Sequence, residues 1–405
     1  MSLKIPKKII FAFFLLSGGS QIIFGQTPQV FLLNPKTLME SKAKLANPKN
    51  TDETLKASLA SLEKQAQKDL KTEFVSITTK EGTPPSNDKH DYMSQAPYFW
   101  RNPNMPNGLP YIRRDGERNP EIKKFPDHEL LDKTIDAVEN LSLAFYFTNN
   151  EKYAVKAAAI LRMWFLDKET KMNPNLEYAQ AVPGVNTGRG IGLIETRDLT
   201  RIVDAAGILK NSKSWTADDH KNIQIWFANF LKWMTTSKNG TEESEAKNNH
   251  GTFYDVQAVS FALFTGQNDY AKKVLETAKK KRLGLQIKEN GAQPLELERT
   301  KSWDYSVMNL EGLVMLATYG ESLNVDLWHY ESAENPLIRR SIEFLFQNGG
   351  DVKNWKYEQI EPLKFEKLFP LMHRAAPNYA DANYRKMLSA IPAPAPPSVS
   401  NLTGW

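Results

Sequence analysis

Apolar side chains return every third or fourth residue over most of the sequence, the spacing that lines one face of an α-helix. Ile223, Trp226, Phe227, Phe230, Leu231 and Met234 are one such run. They follow Thr216, a residue type that caps helix N-termini, with Asp218 and Asp219 where negative charge favours a first turn. The same spacing predicts helices over 130–147, 153–165, 196–209, 253–264, 270–282 and 306–319. The breaks between them are short, so successive helices should pair antiparallel. Leu55, Leu59, Leu62, Ala66 and Leu70 repeat in the same way within a charged stretch and predict an amphipathic helix laid against a larger body. Alternation suited to a strand is confined to 74–78 and 283–287, and strands do not alternate with helices, so the chain reads as all-α.

Two stretches interrupt the helical spacing. Residues 83–126 hold eight prolines, with the aromatics Tyr92, Tyr98, Phe99, Trp100 and Tyr111 in and around them, so no regular helix can run through. Such aromatic density argues for an ordered, functional segment. Alternating Ala and Pro over 392–397 predicts an extended, weakly packed end. The N-terminus has Lys4, Lys7 and Lys8 ahead of an apolar run at 9–16 and small residues up to Gly25, the layout of a secretory signal peptide. The expected organisation is a signal peptide at 1–25, an N-terminal helical support segment at 26–90, a catalytic domain at 91–390 and an extended tail at 391–405. The mature protein would then be periplasmic or secreted, with no membrane attachment after cleavage.

Composition narrows the chemistry. The absence of cysteine excludes disulfides, thiolate catalysis and zinc-thiolate or iron-sulfur centres. A net charge of +5, from 52 basic and 47 acidic residues, is too small and dispersed for a nucleic-acid binder. Phosphate-binding, dinucleotide, HExxH and G-x-S-x-G motifs are absent, so nothing in the sequence demands a cofactor or a metal. Gly188, Gly190 and Gly192 lack the strand-turn-helix setting of a phosphate cradle and suggest a tight turn before a helix. Asn248, Asn249 and His250 precede a predicted helix, where they offer either amide donors beside an imidazole or an ordinary cap. Arg299 and Tyr305 lie at the entrance of another; taken singly, they would pair with Glu296 or Glu298 and pack in the core. Together the two sets supply a cation, amides, an imidazole and a phenol.

The stretches APYFWRNPNMPNGLPYIRRDGERNPE (96–121), NTGRGIGLIETRDL (186–199), NNHGTFYD (248–255) and ERTKSWDYS (298–306) resemble the alginate lyase family of polysaccharide lyases. The resemblance spans roughly 91–319 and implies an incomplete α/α toroid with a cleft for a uronic-acid polymer. It carries the family's Asn-His pair to Asn249 and His250, its neutralising arginine to Arg299 and its catalytic tyrosine to Tyr305. The proline-rich segment departs from the shorter lid of mannuronate lyases and is closer to relatives that include glucuronan lyases.

The implied reaction is β-elimination on an anionic polysaccharide. Arg299 and Asn249, assisted by His250, would stabilise the doubly charged carboxylate that forms when C5 loses its proton. Tyr305, its phenolate favoured by nearby positive charge, would act as base and then as acid, or only as acid if His250 is the base. Stacking and ion pairing suggest Trp100, Arg101, Tyr111, Arg113, Arg114, Arg189, Arg197, Trp303 and His373 as substrate contacts. His90, His128, His220 and His329 read as surface or core residues. Hydrolysis through Glu195, Glu296 or Asp304 is a second reading, and non-catalytic glycan binding is a third.

Overall fold

The helical stretches fold in the order α1 (Pro35–Ala46), α2 (Glu53–Lys71), α3 (Asp127–Thr148), α4 (Glu151–Leu161), α5 (Leu199–Leu209), α6 (Ala217–Thr236), α7 (Lys238–Ser244) and α8 (Asn249–Phe264). There follow α9 (Asn268–Ala278), α10 (Pro294–Leu297), α11 (Ser302–Leu323), α12 (Leu337–Gly349), α13 (Leu368–Ala375), α14 (Ala382–Ala390) and α15 (Ser400–Thr403). This computed structural model describes residues 27–350, 352–379, 381–392 and 398–404. The expected signal peptide and residues 393–397 of the expected tail lie outside the described residues. Thr216 caps α6 as expected, in a full capping box with Asp219.

Antiparallel pairs such as α3 with α4 and α8 with α9 are arranged as an incomplete α/α toroid. Its inner members are α8 and α11, which pack on each other and are buried on almost every face. Their contact is close because Gly312 of α11 has no side chain: a Cβ there would lie 2.7 Å from Thr252 Cγ2 on α8. Buried Arg282 pairs with Asp255 of α8 and donates to the carbonyls of Ser244 and Ala246, which pins the loop entering α8. One apolar core runs from Leu38 on α1, through α8 and α11, to Leu402 on α15.

The proline-rich segment contains three short strands, β1 (Met93–Gln95), β2 (Phe99–Trp100) and β3 (Ile112–Arg113), of which β2 and β3 pair antiparallel. β1 pairs in parallel with β4 (Tyr178–Ala181), fixing the segment against the toroid. Three expectations are corrected. Residues 74–78 form no strand: the Ser76 side chain accepts from the Thr78 amide and starts a short 3-10 turn. Residues 283–287 continue the helical path beyond α9, with Leu283 and Ile287 buried and Leu285 turned out. The tail is not extended at its end, because α15 packs on α1 and α2 and buries Leu402.

Candidate active site

The N-terminal ends of α8 and α11 open into one cleft of about 610 Å³. Both helices bring a positive dipole end to it, a setting that favours anions, while the first amide of α8 and the first two of α11 are bonded to Glu296, Glu358 and Gln359. The proline-rich segment forms the facing wall through Pro97, Tyr98, Phe99, Arg113 and Arg118. Asn249, His250, Arg299 and Tyr305 all line this cleft.

Asn249 is not a cap, since it is itself the first residue of α8. Its backbone N and its Nδ2 donate to the two carboxylate oxygens of buried Glu296 at 2.7 and 2.6 Å. Burial raises the Glu296 pKa, and these donations oppose the rise. The Oδ1 of Asn249 is buried without a partner among the described residues, and one Nδ2 hydrogen remains uncommitted. His250 donates from Nδ1 to Glu243 Oε1 at 2.8 Å, with the Glu243 side chain 2% exposed. This bond orients the ring and leaves Nε2 for another partner.

Arg299 pairs with neither Glu296 nor Glu298. Its Nε and Nη2 donate to Asp115 at 3.0 and 2.8 Å, and Nη1 has no partner among the described residues. Although burial pushes Asp115 upward, the Arg299 guanidinium holds its carboxyl well below the usual carboxylate range. The same guanidinium lies 3.8 Å from the centre of the Tyr305 ring. The Tyr305 hydroxyl is 2.9 Å from that of Tyr98. The expected phenolate is not favoured: burial pushes the Tyr305 phenol well above the usual tyrosine range, and Tyr98 adds to the rise while Arg299 opposes it.

Of the residues expected to contact substrate, Arg113, Arg189 and Arg197 line the cleft. Trp100, Arg101, Tyr111 and Arg114 lie outside its lining, within the proline-rich segment. There Arg114 covers the Trp100 ring, and Arg101 and Tyr111 both bond to Glu121. Trp303 is corrected to a core residue, fully buried and edge-on to Trp355. His373 is exposed on α13, stacked on Phe369 and outside the cleft lining. His128, read as a surface or core residue, lines the cleft. Tyr98 and Gln180 were also missed; Tyr98 stood in the aromatic run, whereas no local signal marked Gln180.

The three carboxylates suggested for hydrolysis are committed elsewhere. Glu195 accepts from Tyr92 and Ser94, Glu296 holds Asn249, and Asp304 pairs with Lys367 and Gln359. The glycines at 188, 190 and 192 permit close approach rather than a turn. A Cβ on Gly188 would lie 2.0 Å from Glu177 O, and one on Gly192 would lie 2.5 Å from the Ala179 side chain.

Residues 76–355 match the alginate lyase family. The chain is 36% identical to an alginate lyase from Bacteroides ovatus of known crystal structure, over 93% of this chain and 99% of that one, with a TM-score of 0.88. It shares the fold of alginate lyase A1-III from Sphingomonas species A1 at 16% identity, over 93% of this chain and 95% of that one, with a TM-score of 0.54. A histidine-to-alanine variant of A1-III complexed with a tetrasaccharide aligns over the same shares at 16% identity, with a TM-score of 0.55. No curated protein matches the chain in sequence.

Proposed function

The chain belongs to the alginate lyase family and is a polysaccharide lyase, and on that premise we propose that it cleaves a β-1,4-linked polyuronate by β-elimination at the cleft where α8 and α11 begin. The observation that carries this reading is the convergence of a guanidinium, a carboxamide, an imidazole and a phenol on one cleft. Elimination needs those four functions. The free Nη1 of Arg299 and the remaining Nδ2 hydrogen of Asn249 receive the substrate carboxylate and stabilise its second negative charge as C5 is deprotonated. His250 takes the C5 proton on Nε2, because Glu243 already holds Nδ1. The C5–H electron pair becomes the C4–C5 double bond, and the C4–O4 bond breaks. Tyr305, kept neutral by burial, gives its hydroxyl proton to the departing O4.

The substrate in this proposal is a mannuronate or glucuronate polymer, and the protein meets it after export by the segment at 1–25. The test is the growth of ultraviolet absorbance from unsaturated uronyl ends on polymannuronate, polyguluronate and glucuronan separately. Absorbance rising on one polymer with the wild type and not with Tyr305→Phe supports the reading. New reducing ends without that absorbance would establish hydrolysis and overturn it.

A further inference from the structure

Arg189 stands apart from the other cleft arginines in being shielded from solvent without an ion pair, whereas Arg118 is exposed. Arg299 and Arg113 share Asp115, and Arg197 pairs with Asp198. Arg189 forms no ion pair with a described residue. Among the described residues its buried Nε has no acceptor, and its Nη2 donates to Gln180 Oε1 at 2.8 Å. The carboxylates nearest in effect, Glu195, Glu242 and Glu243, act on it only at longer range. Two of these are already taken, Glu195 by Tyr92 and Ser94 and Glu243 by His250. Burial, with Arg113 nearby, lowers the Arg189 pKa, so the free guanidinium is costly to hold.

The surroundings hold it nonetheless. Its guanidinium lies 4.9 Å from the centre of the Phe99 ring. The backbone on either side is seated by Gly188 and Gly190, where a Cβ would collide with Glu177 O and Asn239 O. Gln180 has a φ of 50°, a left-handed conformation uncommon outside glycine and kept only where surrounding structure enforces it. Because a guanidinium has no acceptor, the Gln180 amide must turn its oxygen to Arg189, which leaves its Nε2 hydrogens as further donors. Arg189 and Gln180 thus present a charged fork and an amide, and no carboxylate of a described residue is paired with either.

Resting on the lyase reading, we propose that Arg189, positioned by Gln180 and Phe99, is a second carboxylate-binding subsite that holds a uronate other than the one being cleaved. The polymer is then recognised through at least two of its carboxylates, one at Arg299 and one at Arg189. A chain in which the neighbouring uronate is methyl-esterified loses the second contact.

The test is calorimetric binding of a defined tetrauronate and its methyl ester by the Tyr305→Phe variant, with and without Arg189→Gln or Arg189→Lys, alongside steady-state kinetics in the wild-type background. Arg189→Gln is expected to weaken tetrauronate binding and raise KM tenfold or more while kcat falls no more than threefold. Arg189→Lys should recover part of the affinity, and esterification should matter less to Arg189→Gln than to its parent. Unchanged affinity and KM in Arg189→Gln, with a melting curve matching the parent, would overturn the subsite. So would a loss confined to kcat. Binding of tetrauronate without unsaturated product from the wild type would sink the lyase reading alone, since the affinity comparison still decides the subsite.

Discussion

Tyr305 must surrender a proton to a sugar oxygen, and its burial beside Tyr98 suits it to arrive protonated. Tyr305→Phe should therefore lower kcat by about 10²- to 10⁴-fold. If His250 is the base, that variant should still exchange the C5 hydrogen of bound substrate with deuterated solvent, as read by nuclear magnetic resonance. Absence of exchange would return the base role to Tyr305. Glu243→Gln should lower kcat about tenfold or more with little change in KM, because it loosens the ring that Nε2 depends on. A KM effect alone would contradict that role. The four convergent side chains were legible because each stands in a short motif. Their partners were not: Asp115 lies 184 residues from Arg299, and Tyr98 lies 207 from Tyr305. No local spacing reports on contacts of that range, so the sequence offers only the neighbours Glu296 and Glu298 as partners for Arg299.

Helices were readable in α2 and α6, where one face is apolar, whereas α12, with Leu337, Ile338, Ile342 and Leu345 buried on one face, was not predicted as a separate helix. The two misread strands show where that reading fails. Leu283, Leu285 and Ile287 alternate like a strand, yet Leu283 and Ile287 are also one helical turn apart, and burial of that pair selects the helix. Trp303 was misplaced for a related reason: an aromatic beside catalytic residues suggests sugar stacking, but its position on the first turn of α11 points it inward at Gly349 of α12. A Cβ at Gly349 would lie 2.0 Å from Trp303 Cζ3. Gly349→Ala should cost about 1–3 kcal/mol in urea unfolding. Since Trp303 and Tyr305 share the start of α11, activity should fall in the same variant at temperatures where it remains folded. Full activity there would show that the first turn of α11 does not transmit the displacement.

A second cavity, of about 690 Å³, lies beyond Met308, which lines both spaces. It contains Glu311, which makes no hydrogen bond or ion pair with a described residue, and burial raises its pKa to about 7. The folded state therefore binds a proton that the unfolded chain has released, and stability declines as pH rises from about 4.5 to about 7. The loss attributable to this carboxyl is up to about 3 kcal/mol. Urea titrations across that range should show a shallower decline for Glu311→Gln than for the wild type. Equal slopes would mean that the group ionises in the fold as readily as in water.

The seat of α15 has a bearing on how the ring is made. Asn401 donates to Ser58 on α2, Leu402 is fully buried, and a Cβ on Gly404 would meet Thr37 on α1. The opening helices are thus clasped by residues that the ribosome adds some three hundred and fifty positions later. The contacts of α15 with α1 and α2 can form only after residue 402 has been synthesised, so the first helices receive their last packing partner at the end of translation.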